Sequence, residues 1–230
     1  MKEIDTKFDE ISISDFISRL NDTKLFILGE MHGVQENPNI IYTIFKKFGF
    51  KNIAIEWSDK LQEAVNFFLK TGDIDFDKIK NSDDGRITAG HFALLKKLKE
   101  EGLLEKVICF DEWSNEWNDR EKNMANNIIK NILNTPILVI AGNLHAKMDS
   151  FKDKSNSYHP MGENIKNKIQ NVPNGKIEYL KGEYYNLSLK EFKKSNREKL
   201  PKAEFYKSSD GTYMFILPEA HAGSVPNQLN

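Results

Sequence analysis

The chain has 230 residues, with 33 Lys+Arg against 34 Asp+Glu, five His and one Cys. This balance lacks the basic excess a nucleic-acid binder needs to neutralise phosphates, a single cysteine forbids an intrachain disulfide, and no stretch nears the roughly 20 apolar residues of a membrane span. With 39% hydrophobic residues, no apolar core near its N-terminus and a length that suits a single α/β domain, it is expected to be a soluble, cytoplasmic, globular protein without a nucleic-acid or membrane partner.

Residues 13–20 predict a short leading helix, with Ser12 or Ser14 as its cap. Four continuous apolar runs come next, at 24–28, 52–56, 107–110 and 137–141. Strands buried on both faces, as in a parallel sheet, have this composition. Between the runs lie helical stripes of apolar residues three and four apart: Ile40, Ile41, Ile44, Phe45 and Phe48; then Leu61, Val65, Phe68 and Leu69; then Phe92, Leu94, Leu95 and Leu98; then Met124, Ile128, Ile129, Ile132 and Leu133. Alternation at this spacing implies βαβ units with right-handed crossovers, hence an α/β fold with a mainly parallel central sheet flanked by helices. Residues 147–160 are polar and read as a long mobile loop, 164–170 as a helix, and 176–180 and 213–217 as late strands. The lysine-rich 191–201 reads as a surface insertion, and 181–207 as a solvated face.

Ligands of open parallel sheets bind beyond the carboxyl ends of the strands. The four apolar runs lead, in turn, into Glu30 and His32, into Glu56 and Trp57, into Asp111, Glu112 and Trp113, and into Asn143 and His145. Two imidazoles and up to four carboxylates therefore converge on one rim, where Gly29 and Gly142 allow sharp turns and close approach. The first and last of these elements share the form strand, Gly, two residues, His. Taken singly, each residue has a plainer reading: Glu56 and Asp111 as helix caps, Arg86 as a solvent-exposed turn residue, His91 as a partly buried surface histidine, His159 and His221 as loop residues. Taken together, they suit two chemistries. A divalent metal (Mn, Zn or Co) held by His32, His145, Glu30 and Glu56 would activate water. Alternatively a histidine acts as general base without metal, a carboxylate orients it, and Arg120 or Arg86 steadies an oxyanion. Trp57, Trp113 and Trp117 form either an aromatic wall or core packing. Cys109 lies inside an apolar run and reads as packing; nucleophile-elbow, phosphate-loop, dinucleotide and H-E-x-x-H motifs are absent.

Five segments, 28–33 (Leu-Gly-Glu-Met-His-Gly), 55–56 (Ile-Glu), 84–86 (Asp-Gly-Arg), 119–125 (Asp-Arg-Glu-Lys-Asn-Met-Ala) and 142–146 (Gly-Asn-Leu-His-Ala), occur in an order that resembles the superfamily of erythromycin esterases, ChaN-type haem-binding proteins and Tiki/TraB proteases. The resemblance spans about residues 24–146. It implies an α/β fold with its site at the strand ends. In the esterase-like members a water-activating site falls on the positions of Glu30, His32, Glu56 and His145. In the Tiki-like members the paired histidines, here His32 and His145, go with a divalent metal; in the ChaN-like members the fold binds haem. One residue separates Glu30 from His32 where erythromycin esterases have two, and the chain has no room for their helical insertions. The resulting expectation is a hydrolase of an ester, amide or peptide bond acting on a small-molecule or peptide substrate. The alternatives are a haem or metal carrier on the same rim and a partner-binding module with a decayed site.

Overall fold

A computed structural model describes residues 1–79, 84–132, 134–192 and 200–225. Leu133, Asp83 and most of the lysine-rich insertion, 193–199, lie outside the described residues. The chain alternates strands and helices: β1 (Thr6–Phe8), α1 (Glu10–Thr23), β2 (Leu25–Glu30), α2 (Asn37–Lys47), β3 (Asn52–Ser58), α3 (Gln62–Thr71), α4 (Phe76–Ile79), α5 (Ala89–Glu100), β4 (Lys106–Asp111), α6 (Trp117–Ile129) and β5 (Ile137–Gly142). Two short strands, β6 (Phe151–Asp153) and β7 (Asn156–Tyr158), precede α7 (Met161–Lys166) and β8 (Asn174–Tyr179); β9 (Glu183–Asn186), β10 (Ser188–Glu191), β11 (Ala203–Lys207) and β12 (Tyr213–Leu217) complete it. Among the described residues, eight strands make one sheet in the order β1-β11-β12-β8-β2-β5-β3-β4, in which only the β11–β12 pairing is antiparallel.

Every residue of β2 and β5 is buried, as the uninterrupted apolar runs require, and side chains alternate between two cores. Phe26 and Leu28 face one layer, with Phe16 of α1, Ile44 of α2, Phe68 of α3 and Leu95 of α5; Leu25 and Ile27 face the other, with Met124 of α6 and Met161 of α7. The chain runs outward from β2 to β3 to β4 through α2, α3 and α5, then returns to β5 through α6. Right-handed crossovers put the return helix on the opposite face. That reversal places β5 between β2 and β3, so the ends of β2, β5, β3 and β4 stand side by side.

Local chemistry moved some boundaries. The leading helix spans Glu10–Thr23 and its cap is Asp9, which accepts from the Ser12 amide at 2.8 Å and its hydroxyl at 2.5 Å. Ser12 instead spends its oxygen accepting from the Lys207 amide, 2.8 Å away. Residues 147–160 hold the β6–β7 hairpin rather than a long structureless loop, and the helix expected at 164–170 begins earlier, at Met161. The β9–β10 hairpin turns at Leu187, whose φ of 59° is left-handed. Helices and sheet lock together through aromatic edges: Phe16, fully buried, meets Phe26 at 4.7 Å and Tyr213 at 5.0 Å, both near perpendicular. Phe16→Ala is expected to lower the unfolding free energy by about 3–5 kcal/mol in urea titrations, and a loss under about 1 kcal/mol would contradict this packing.

Candidate active site

Glycine makes the rim possible. A Cβ on Gly142, at the end of β5, would stand 2.7 Å from His32 Nε2, and one on Gly29 would stand 2.7 Å from Asn143 Oδ1. Gly33, at φ +71°, donates its N–H to Gly85 O at 3.0 Å, which draws the 84–86 turn to the β2 loop. Gly33 O accepts from Tyr185 N at 2.9 Å and Gly223 N at 2.8 Å.

The sequence-derived candidates come together around Glu56. Its Oε2 accepts the Gly142 N–H at 2.7 Å and stands 3.7 Å from His32 Nε2. Its Oε1 faces His145 Nε2 at 3.4 Å, Arg86 Nη1 at 3.6 Å and Arg120 Nη2 at 3.7 Å. Asp111 bridges the two guanidinium groups: Arg120 donates Nε and Nη2 to it at 2.8 and 2.7 Å, and Arg86 donates Nη1 at 2.9 Å. Asp84 accepts from Arg86 Nε at 2.6 Å. Glu56 and Asp111 are thus ion-pair partners at the strand ends rather than helix caps, and Arg86 is drawn inward by them.

Each imidazole is anchored through its other nitrogen. His32 Nδ1 lies 3.1 Å from Glu30 Oε1. His145 Nδ1 lies 2.5 Å from Oε1 of Glu121, a fully buried residue whose Oε2 accepts the Met161 N–H at 2.7 Å. Burial alone would raise the Glu30 pKa, yet His32 and His91 hold it down at about 2. Burial opposes protonation of both rim imidazoles. Glu30 and Glu56 nonetheless raise His32 above 6.5, and Glu56 and Glu121 do the same for His145.

Two residues of the site carried no sequence signal for their roles. Glu121 stood in the 119–125 segment without an assignment, although its spacing one residue after Arg120 in the first turns of α6 puts it near the rim. His91 is fully buried, not partly exposed, with Nδ1 2.9 Å from Thr88 Oγ1. The tryptophans divide. Trp57 is core and donates Nε1 to Arg86 O at 2.9 Å, Trp117 stacks on His145 at 4.9 Å, and Trp113 is 69% exposed with Arg120 5.4 Å from its ring. Glu112 turns away to Asn127, His159 pairs with Glu163 and His221 with Glu36, all outside the cluster. Cys109 is buried, its thiol pushed up to about 12 by desolvation, so it is packing and no nucleophile.

Carboxylate-anchored imidazoles are also how metal-bound histidines are oriented. Here, however, two guanidinium groups already stand within 3.7 Å of Glu56, and among the described residues no group of three His, Cys, Asp or Glu is arranged to hold a metal ion. A divalent cation would have to share Glu56 with two fixed positive charges, and the residues do not fit it. The cavity beside Glu56 measures 270 Å³ and is lined by Arg86, Asp84, Asp111, Leu61, Ile87 and Trp113.

No protein-family model and no curated protein sequence matches the chain. Among solved structures it is similar to a succinoglycan biosynthesis protein (TM-score 0.67, 10% identity, 90% of each chain covered) and to a Bacillus cereus protein (TM-score 0.55, 9% identity, 90% of this chain and 91% of that one). It is also similar to the type III effector HopBA1, with a TM-score of 0.51, 12% identity, and 88% and 91% coverage. At these identities the likeness is one of fold. Among the described residues no helix is long and apolar enough to cross a membrane.

The titrations set a stability window. Glu30, lowered from 4.5 to about 2, contributes stability that is full above 4.5 and lost as pH falls toward 2. His32 and His145, raised above 6.5, contribute stability that is full below 6.5 and lost as pH rises through their folded values. Urea midpoints are therefore expected to be higher at pH 5.5 than at pH 3 or pH 8.5; a midpoint still rising from 5.5 to 8.5 would contradict the imidazole–carboxylate pairs.

Proposed function

We propose that the chain is a hydrolase that activates water on the His32–Glu56–His145 cluster and attacks an ester, amide or peptide carbonyl. The observation that carries this reading is that both imidazoles are anchored at Nδ1 by buried carboxylates while both Nε2 atoms face one carboxylate, Glu56. General acid–base work needs two proton-transfer groups titrating near the working pH, fixed in orientation. In the first step water adds to the carbonyl carbon and gives its proton to the neutral imidazole. In the second the tetrahedral species collapses, the bond to the leaving group breaks, and that group takes a proton from the second imidazole, which is protonated at the start. Glu56, between the two Nε2 atoms, then redistributes the proton. Arg86 and Arg120 bring positive charge to the developing oxyanion.

Membership of the erythromycin esterase, ChaN and Tiki superfamily is part of the same proposal. In its support, the five segments that carry the resemblance adjoin one another at the ends of β2–β5.

Against a panel of chromogenic esters, anilides and peptides, His32→Ala and His145→Ala are each expected to lower kcat/KM by at least about 100-fold with an unchanged circular dichroism spectrum. Retained turnover in either folded variant would overturn the assignment. Chelation with EDTA is expected to leave the wild-type rate unchanged, because the charges around Glu56 suit a metal-free site.

A further inference from the structure

We propose that His91 is a positioning residue: clamped by Thr88, it directs Nε2 at Glu30 and fixes that carboxylate as the partner of His32 Nδ1. The role rests on the hydrolase reading, in which His32 Nε2 must be free to handle a proton. His91 is 1% exposed and lies in the first turn of α5, whose cap is Thr88. The ring is held on several sides. Thr88 Oγ1 stands 2.9 Å from Nδ1, and the Trp57 ring meets it edge-on at 6.1 Å and 86°. The next residue back, Gly90, packs so tightly that a Cβ there would stand 2.8 Å from Pro38 of α2.

With the Thr88 hydroxyl donating to Nδ1, a neutral His91 carries its proton on Nε2. That Nε2 is buried without a hydrogen-bond partner and stands 3.9 Å from Glu30 Oε1, while Glu30 Oε2 is also buried without one. An orphaned buried nitrogen facing a carboxyl whose other oxygen is also orphaned calls for a reason. The proposed role needs this 3.9 Å gap to close to a hydrogen bond. Glu30 then accepts from two imidazoles and donates to neither. His32 keeps its proton on Nδ1 and presents the Nε2 lone pair to the site. Without the second donor the Glu30 carboxylate is no longer held against His32 Nδ1 and turns away from it. His32 then carries its proton on Nε2, where Glu56 Oε2 faces it at 3.7 Å and the lone pair is blocked.

Long-range ¹H–¹⁵N spectra of the full labelled chain at pH 9 report the His32 tautomer without any substrate. Wild type and His91→Gln, which restores an N–H donor, are expected to show the proton on Nδ1, and His91→Phe to show it on Nε2. Turnover is expected to fall roughly 10–100-fold in His91→Phe and to recover in His91→Gln. Should His91→Phe fail to fold, Thr88→Val, which removes the clamp, is expected to shift the same signal. A folded His91→Phe or Thr88→Val with His32 still protonated on Nδ1 overturns the proposal. A tautomer switch in His91→Phe, where the wild-type chain hydrolyses nothing, would overturn the hydrolase reading and support this one.

Discussion

Glu56 is a carboxylate 3% exposed at the end of a central strand, and the arrangement around it results from the need to keep it charged there. An ionised carboxyl out of water is tolerated only where hydrogen bonds and opposite charges replace its hydration. The Gly142 N–H, the two guanidinium groups and the two imidazoles supply that replacement. Each of these groups then needs partners of its own, which is why Asp111, Asp84, Glu30 and Glu121 surround them. Five carboxylates face two guanidinium groups, and protonating both imidazoles still leaves negative charge in excess. Apolar residues of similar volume would stabilise the fold as well or better. The two apolar layers beneath the cluster, one of them rich in aromatic rings, carry the stability that offsets its desolvation.

Most of this was legible in the chain because parallel strands betray themselves. The apolar runs at 24–28, 52–56, 107–110 and 137–141 correspond to β2, β3, β4 and β5 within a residue or two. A parallel sheet presents all its strand ends on one side, so reading from the last residue of each run to four residues beyond it collected Glu30, His32, Glu56, Asp111 and His145 without any knowledge of strand order. Gly29 and Gly142 were legible for the same reason: small residues at strand ends signal that something must pass close by.

Long-range contacts decided the features that the sequence left open. His91 has the same neighbours in the chain whether its ring faces solvent or Glu30; only the docking of α5 against α2 and Trp57 decides, and those contacts are far apart in sequence. Glu121 sits on a helix whose phase relative to β5 depends on the return crossover. The strands β1, β9, β10 and β11 are short or half exposed, so neither continuous nor alternating apolar patterns mark them. Asp9 escaped because Ser12 offered an equally good capping residue three positions later, and its hydroxyl was claimed by a strand near the other end of the chain.

The carbonyl of Gly33 joins segments that are synthesised far apart in time. It accepts from Tyr185 and Gly223, while the neighbouring amide donates to Gly85, so one loop of the site is tied by chain from near the C-terminal end. A growing chain emerges from the ribosome in order, and contacts of such separation close last. The β2, β3 and β5 residues of the cluster are synthesised before residue 223 is available to tie the Gly33 loop. Framing of the Glu56 cluster is thereby tied to chain from near the C-terminal end of the described residues.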